Sequence, residues 1–172
     1  MLELDRETVI EVKDTLDMAR EGGLMIATAE SCTGGLVAAA LTSVAGSSLV
    51  FERGFVTYSN RAKMEMLGVP GELIEAHGAV SEQVARAMAE GALAHSRADL
   101  SVAITGIAGP TGGTPEKPVG LVHFASAARD GETMAIHFRF ADEGRNGVRF
   151  QALLTALGLL RQQMAGNYPR IA

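Results

Sequence analysis

A three-layer α/β/α domain with a mixed sheet is the fold class this sequence predicts, and three observations predict it. Helical patterns lie between the early apolar segments, as right-handed crossovers between parallel strands require. Two late strand-like runs are joined by Arg129-Asp130-Gly131, a hairpin signal that adds antiparallel pairing. Leu24–Ala29 and Leu100–Thr105 are short, continuously apolar runs, which suits central strands covered on both faces.

The elements follow in order. Val9, Val12, Leu16 and Ala19 fall at helical spacing within Thr8–Arg20, acids take the other face, and Gly22-Gly23 stops the helix. After the Leu24–Ala29 strand comes Glu30-Ser31-Cys32-Thr33-Gly34-Gly35, then Leu36–Val44, a small-residue helix suited to close packing on a sheet. Leu49–Tyr58 reads as the second strand, with Gly54 as an expected bulge. Ser59-Asn60 caps a helix over Arg61–Leu67, Pro70–Ala76 forms another helical turn or two, and Ser81 caps Glu82–Arg97. The Leu100–Thr105 strand runs into Gly106-Ile107-Ala108-Gly109-Pro110-Thr111-Gly112-Gly113. Val119–Ala127 and Thr133–Phe140 are the hairpin strands, the second alternating Met134, Ile136, Phe138 and Phe140 with polar positions. Asn146–Met164 is the closing helix. One domain over 1–172 is expected, without repeats, linkers or low-complexity tracts.

Composition narrows the function classes. The chain has 172 residues, 15 Lys and Arg against 20 Asp and Glu, and a net charge of −5, so it lacks the basic footprint of a general nucleic-acid binder. Its 47% hydrophobic and 20% charged content is that of a globular protein, with no apolar run long enough to span a membrane. A single Cys makes neither an internal disulfide nor a thiolate-rich zinc site and suits a reducing cytoplasm. Glu3 and Asp5 leave no signal-peptide pattern at the start.

Two glycine-rich loops leave the C-terminal ends of apolar strands, where open α/β sheets place ligands. In the first, backbone N–H groups and a helix N-terminus suit a phosphate or a developing oxyanion. Ser31 stands where a nucleophile would be presented, or else caps the helix; Glu30 would hold the loop amides. Cys32 is a small buried residue or a thiolate nucleophile. The second loop, with Thr105, Gly106, Ala108, Gly109 and Gly112, is an anion cradle or a plain connection. It is not a Walker A loop, since no Lys-Ser or Lys-Thr follows its glycines.

Lysine is scarce: Lys13, Lys63 and Lys117 are the three. Lys63 can point back toward Ser31 if the second strand ends beside the first. Desolvated and near a cationic Arg it would lose its proton and serve as a base; its alternative is a solvent-facing helix position. His77, His95, His123 and His137 form no cluster, so neither a Ser-His-Asp triad nor a zinc site is expected.

An ordered set of motifs now stands out: Thr28–Gly35, Tyr58-Ser59-Asn60 with Lys63, Leu67-Gly68-Val69, His77–Ser81, Thr105–Pro110 with Gly112-Gly113, and Lys117–Gly120. Together they closely resemble the CinA C-terminal-domain family, the nicotinamide-nucleotide amidohydrolases, from about the first helix to the last. The resemblance implies hydrolysis of the carboxamide of nicotinamide mononucleotide to nicotinic acid mononucleotide and ammonia, in a stand-alone version of the domain. It implies Ser31 as nucleophile, Lys63 as its base and Tyr58 in the proton network, with neither cofactor nor metal. Amides of Cys32, Thr33 and Gly34 would form the oxyanion hole. Phosphate would be held by the second loop and Arg145, with Ser48 a further candidate. A homo-oligomer is expected. Two competing readings are a different small-amide hydrolase using Cys32, and a non-catalytic nucleotide-binding module.

Overall fold

The computed structural model describes residues 4–141 and 144–167; the first three residues, Glu3 among them, lie outside that range. The elements are α1 (Arg6–Glu21), β1 (Ile26–Glu30), α2 (Leu36–Thr42), β2 (Phe51–Val56), α3 (Asn60–Leu67), α4 (Gly71–His77), α5 (Glu82–Ala94), β3 (Leu100–Gly106), β4 (Leu121–Ala128), β5 (Met134–Arg139) and α6 (Gly144–Asn167). A single 3₁₀ turn, Ser47–Leu49, precedes β2 and takes up the start of what reads as strand.

The strands form one sheet in the order β2-β1-β3-β4-β5. The first three are parallel and β4 and β5 are antiparallel additions, so the sheet is mixed as expected. One face carries Ile26, Val102, Ile104, Val122 and Phe124 against α1, α2 and α6. The other carries Ala27, Ala29, Ala103, Ala125 and Ala127 against α5, with α3 and α4 packed beside it. Alanine on that second face lets α5 sit close to the strands, while the larger Val, Ile and Phe fill the first. These are the three layers.

Local boundaries shift for identifiable reasons. β4 starts at Leu121 rather than Val119, because Leu121 N–H turns back to the Pro118 carbonyl. α5 ends at Ala94, before the chain crosses to β3 through Asp99 N–H on the Met25 carbonyl. The irregularity in β2 is at Glu52, skipped in the register between Phe51 and Arg53, and not at Gly54. Gly54 serves packing instead: a Cβ there would lie 2.9 Å from Thr28 Oγ1 and 3.2 Å from Ala38 Cβ, so α2 sits directly on β2. The face of α1 that is buried includes Thr8 and Thr15 with Val12, Leu16 and Ala19, while Val9 is only half-buried.

From β1 the chain passes through α2 to β2 on one side, then crosses back through α3, α4 and α5 to β3 on the other side of β1. The C-terminal ends of β1 and β3 therefore flank a topological switch point, the place where a crevice opens in such sheets. Both glycine-rich loops begin there.

Candidate active site

Glu30 ends β1 fully buried, and its carboxylate accepts three backbone N–H groups, from Gly35 (3.1 Å), Val37 (3.0 Å) and Ala38 (2.8 Å). These are the amides that the start of α2 would otherwise leave unpaired. The α2 N-terminus is thus closed by a built-in anion, and Glu30 acts as the structural acceptor. Ser31 is thereby excused from capping: the N-cap position is Gly35, with no side-chain cap bond.

The turn between Glu30 and α2 is tight. Gly34 N–H donates to the Ser31 carbonyl (3.0 Å) and Leu36 N–H to the Thr33 carbonyl (3.2 Å). Gly34 and Gly35 lie at φ +60° and +94°, a left-handed pair that side chains with a Cβ rarely adopt. Among the described residues, the N–H groups of Cys32 and Thr33 meet no carbonyl or carboxylate acceptor. The oxyanion donors expected at Cys32, Thr33 and Gly34 reduce to the first two, because Gly34 spends its N–H inside the turn.

Lys63 arrives from the next crossover. Ser59 caps α3, its side chain accepting from Ala62 N–H, and this sets Lys63 one turn in, facing the sheet. It is one of the largest fully buried side chains, 1% exposed. Nζ lies 2.9 Å from Ser31 Oγ, 2.9 Å from the Thr57 carbonyl and 3.4 Å from the Tyr58 carbonyl. Both carbonyls can only accept, so they take two hydrogens; the third direction faces a hydroxyl that can donate. This coordination serves both forms of the amine: the ammonium donates to all three oxygens, and the neutral amine donates to the carbonyls and accepts from the Ser31 hydroxyl. Burial pushes the Lys63 pKa down, opposed by the nearby Cys32 sulfur, and among the described residues no carboxylate salt-bridges the amine. The lowering expected from a neighbouring Arg is instead the work of desolvation.

Cys32 is buried, and desolvation pushes its thiol up to about 11, so it stays protonated at neutral pH. It is a poor nucleophile here.

A cleft of about 360 Å³ opens above Ser31 and Lys63. Its walls bring together ten of the expected residues: Ser31, Cys32, Tyr58, Lys63, Thr105, Gly106, Ala108, Gly109, Gly112 and Arg145. Glu30, Thr33, Gly34 and Gly35 brace the floor without lining it. Ser48 is exposed at the N-terminal edge of β2, the opposite end of the sheet, and does not line the cleft. Asn60, Ala79, Val80, Ile107 and Thr111 complete the lining; Ile107 and Thr111 belong to the second glycine-rich loop expected there, whereas Asn60, Ala79 and Val80 were not expected as site residues. Asn60 reads in the sequence only as a cap, and the signal that could have found it is its place one turn before Lys63.

Arg145 lies inside the first turn of α6, rather than ahead of it, and bridges the cleft. One Nη reaches the Gly109 carbonyl (2.9 Å) and the other the Tyr58 hydroxyl (2.7 Å). The phenol of Tyr58, 59% exposed, is therefore held by Arg145, while its carbonyl is the part that touches Lys63. Among the described residues, no acidic side chain lines the cleft. Thr105 Oγ1 donates to the Ala79 carbonyl (2.8 Å), tying β3 to the α4–α5 connection. His123 and His137 do meet, stacked at 5.1 Å across β4 and β5, but neither lines the cleft. Among the described residues, no group of three or more His, Cys, Asp or Glu is placed to hold a metal ion, and no helix is long and apolar enough to cross a membrane.

Relatives share this arrangement's framework. The chain is 54% identical to the nicotinamide-nucleotide amidohydrolase PncC of Escherichia coli K12, over 84% of this chain and 87% of that one. It is 52% identical to a putative competence-damage inducible protein of Symbiobacterium thermophilum, over 94% of this chain but only 39% of the relative; the chain spans under two-fifths of the length of several such curated relatives. Among solved structures, the competence/damage inducible protein CihA of Agrobacterium tumefaciens superposes with a TM-score of 0.91 at 50% identity, covering 94% of this chain and 98% of that one. The profile of the CinA C-terminal domain matches residues 10–164, from within α1 through the last turns of α6 and across every loop of the cleft. With its fold, its paired Ser31 and Lys63 and this match in agreement, the chain belongs to the CinA C-terminal domain family.

Proposed function

We propose that this chain hydrolyses the carboxamide of nicotinamide mononucleotide, giving nicotinic acid mononucleotide and ammonia in pyridine-nucleotide recycling. The observation that carries the reading is the buried Lys63 Nζ, 2.9 Å from Ser31 Oγ and otherwise surrounded by carbonyls. A relative named nicotinamide-nucleotide amidohydrolase, at 54% identity, supports the choice of substrate.

In the proposed sequence, neutral Lys63 takes the Ser31 proton as Oγ attacks the carboxamide carbon. The oxyanion that forms accepts from the Cys32 and Thr33 amides. Lys63, now an ammonium, returns its proton to the departing nitrogen, and ammonia leaves an ester on Ser31. Water then attacks that ester, Lys63 receives its proton and passes it to Ser31 as the acid departs. No step draws on a cofactor or metal. Arg145 and the Thr105–Gly112 loop hold the phosphate by local charge and backbone amides, which an acidic chain needs. Tyr58 serves by orienting Arg145 and through its carbonyl on Lys63. The same reading places the protein in the cytoplasm, as one domain and a homo-oligomer, without a nucleic-acid or membrane partner.

The competing thiol mechanism is disfavoured by the raised Cys32 pKa. A purely binding module would have no use for a lysine buried against a serine, since its desolvation disfavours the charged form. Ammonia release from nicotinamide mononucleotide by the purified protein tests the proposal. Release that Ser31→Ala abolishes supports it, and no release from the intact protein overturns it.

A further inference from the structure

Arg149 has no role in the mechanism above, yet its position is unusual for a surface arginine. It lies on α6, four residues after Arg145 and on the same face, half-buried, with no carboxylate partner among the described residues. Its Nη2 donates to the Thr33 carbonyl (2.9 Å), and its Nε is buried without a partner. A cation withdrawn from water to bind one backbone carbonyl calls for a reason.

The hydrogen bonds of the turn supply one. Arg149 pulls on the Thr33 carbonyl. The peptide that owns this carbonyl also owns the Gly34 N–H, which donates to the Ser31 carbonyl (3.0 Å). The peptide that owns the Ser31 carbonyl owns in turn the Cys32 N–H, which meets no carbonyl or carboxylate acceptor among the described residues and adjoins the nucleophile. Guanidinium, peptide, peptide and amide thus form a single head-to-tail chain, two peptide units long. Each acceptor drawn upon makes the N–H of the same peptide a stronger donor. We infer that Arg149 is a positioning residue which polarises the Cys32 N–H through the Thr33–Gly34 and Ser31–Cys32 peptides, strengthening the oxyanion hole without touching substrate. The inference rests on Ser31 as nucleophile but not on which amide it attacks.

Its opposite number is Glu30, which takes the N–H groups on the α2 side of the same turn. The two charges act on different peptides: Glu30 occupies donors that face away from the cleft, and Arg149 reinforces one that faces it. A charge at Arg149 should therefore matter to the transition state and little to substrate affinity, the reverse of Arg145.

The test is the second-order rate at which a fluorophosphonate probe labels Ser31, with the site mapped by mass spectrometry, in the intact protein and in Arg149→Lys and Arg149→Gln. Labelling needs the nucleophile and the oxyanion donors, whatever the natural substrate. Arg149→Lys keeps the charge and one donor, and should label within about threefold of the parent; Arg149→Gln keeps a donor without charge and should be slower by about tenfold or more. With nicotinamide mononucleotide as substrate, the same loss should fall on kcat and leave KM within about twofold. The rising limb of the pH profile should not move, because Lys63 is not in the chain of bonds. Should Arg149→Gln fail to fold, Arg149→Ala assayed with and without added methylguanidinium replaces it, and recovery of labelling is the expected result. Labelling of Arg149→Gln at the parent rate, equal losses in Lys and Gln, no recovery with methylguanidinium, or a shifted pH limb would each overturn the inference. Absence of Ser31 labelling in the parent removes the nucleophile and this inference together. Normal labelling without ammonia release sinks only the choice of substrate.

Discussion

The two glycine-rich loops look alike as sequence but are held in different ways. The loop after β1 is clamped by charged side chains on both sides of its turn: the buried Glu30 carboxylate takes its outer amides, Arg149 of α6 takes a carbonyl, and two left-handed glycines make the turn. The loop after β3 is held mainly by its own backbone, through Ile107 N–H on the Leu121 carbonyl, Gly120 N–H on the Ile107 carbonyl and Thr114 N–H on the Lys117 carbonyl, with Arg145 added on the Gly109 carbonyl and Lys117 on the His77 carbonyl. Chemistry needs the reacting atoms to stay within a fraction of an ångström, whereas binding tolerates a wall that adjusts. The loop clamped by charge carries Ser31, the proposed nucleophile, and the backbone-tied loop supplies the largest share of the cleft wall.

This contrast ranks the substitutions. The largest effect belongs to Ser31→Ala, which should lower kcat by at least about a thousandfold while ligand binding persists; Cys32→Ser should stay within about threefold, and steady-state ammonia release separates the two. Next comes Lys63→Arg. Guanidinium does not give up its proton in the working range, so kcat should fall by about a hundredfold or more, and Lys63→Met should be no better. Retention of near-normal kcat in Lys63→Arg would return the search for the base to its start.

Glu30→Gln breaks the carboxylate side of that clamp. An amide presents its NH2 to backbone donors that were satisfied by carboxylate oxygens, and it leaves buried N–H groups unpaired. Stability should drop by about 2–3 kcal/mol in urea titration, with activity falling in parallel. A variant as stable as the parent would mean the loop is braced some other way. Arg145→Ala, acting on the loop after β3, should be the mildest: a rise in KM for nicotinamide mononucleotide of about tenfold, kcat nearly unchanged, and weaker discrimination against the dephosphorylated riboside. A large fall in kcat at constant KM would move Arg145 into the chemistry and erase the contrast between the loops.

Most of this was legible in the chain, for reasons that differ by residue. Strand runs such as Leu100–Thr105 and the Arg129-Asp130-Gly131 turn are local signals, and both appear where expected. Ser31 and Lys63 stood out by position and by scarcity, and the fold brings them into contact. Ser48 was legible too: it precedes β2 and so falls at the N-terminal end of a parallel strand, opposite the C-terminal ends where the cleft opens. Local signals could not find the bracing at Arg149, which acts across 116 residues of separation. An i, i+4 pair of arginines at Arg145 and Arg149 was the available hint. The raised thiol of Cys32 and the lowered amine of Lys63 depend on burial, which neither residue reveals alone.

The central claim is that Lys63 rests as a neutral amine ready to accept the Ser31 proton. It is tested most directly by following the Lys63 Nζ resonance in ¹⁵N-labelled protein as pH is raised. Burial lowers the pKa of this group from its ordinary 10.5, so the neutral form should grow in below that value. Because the base works only when deprotonated, kcat/KM should rise with pH through the same midpoint as the resonance. Coincidence of the two midpoints, both below 10.5, is the expected result. An ammonium that persists past pH 10.5 while activity has already reached its plateau would contradict the account.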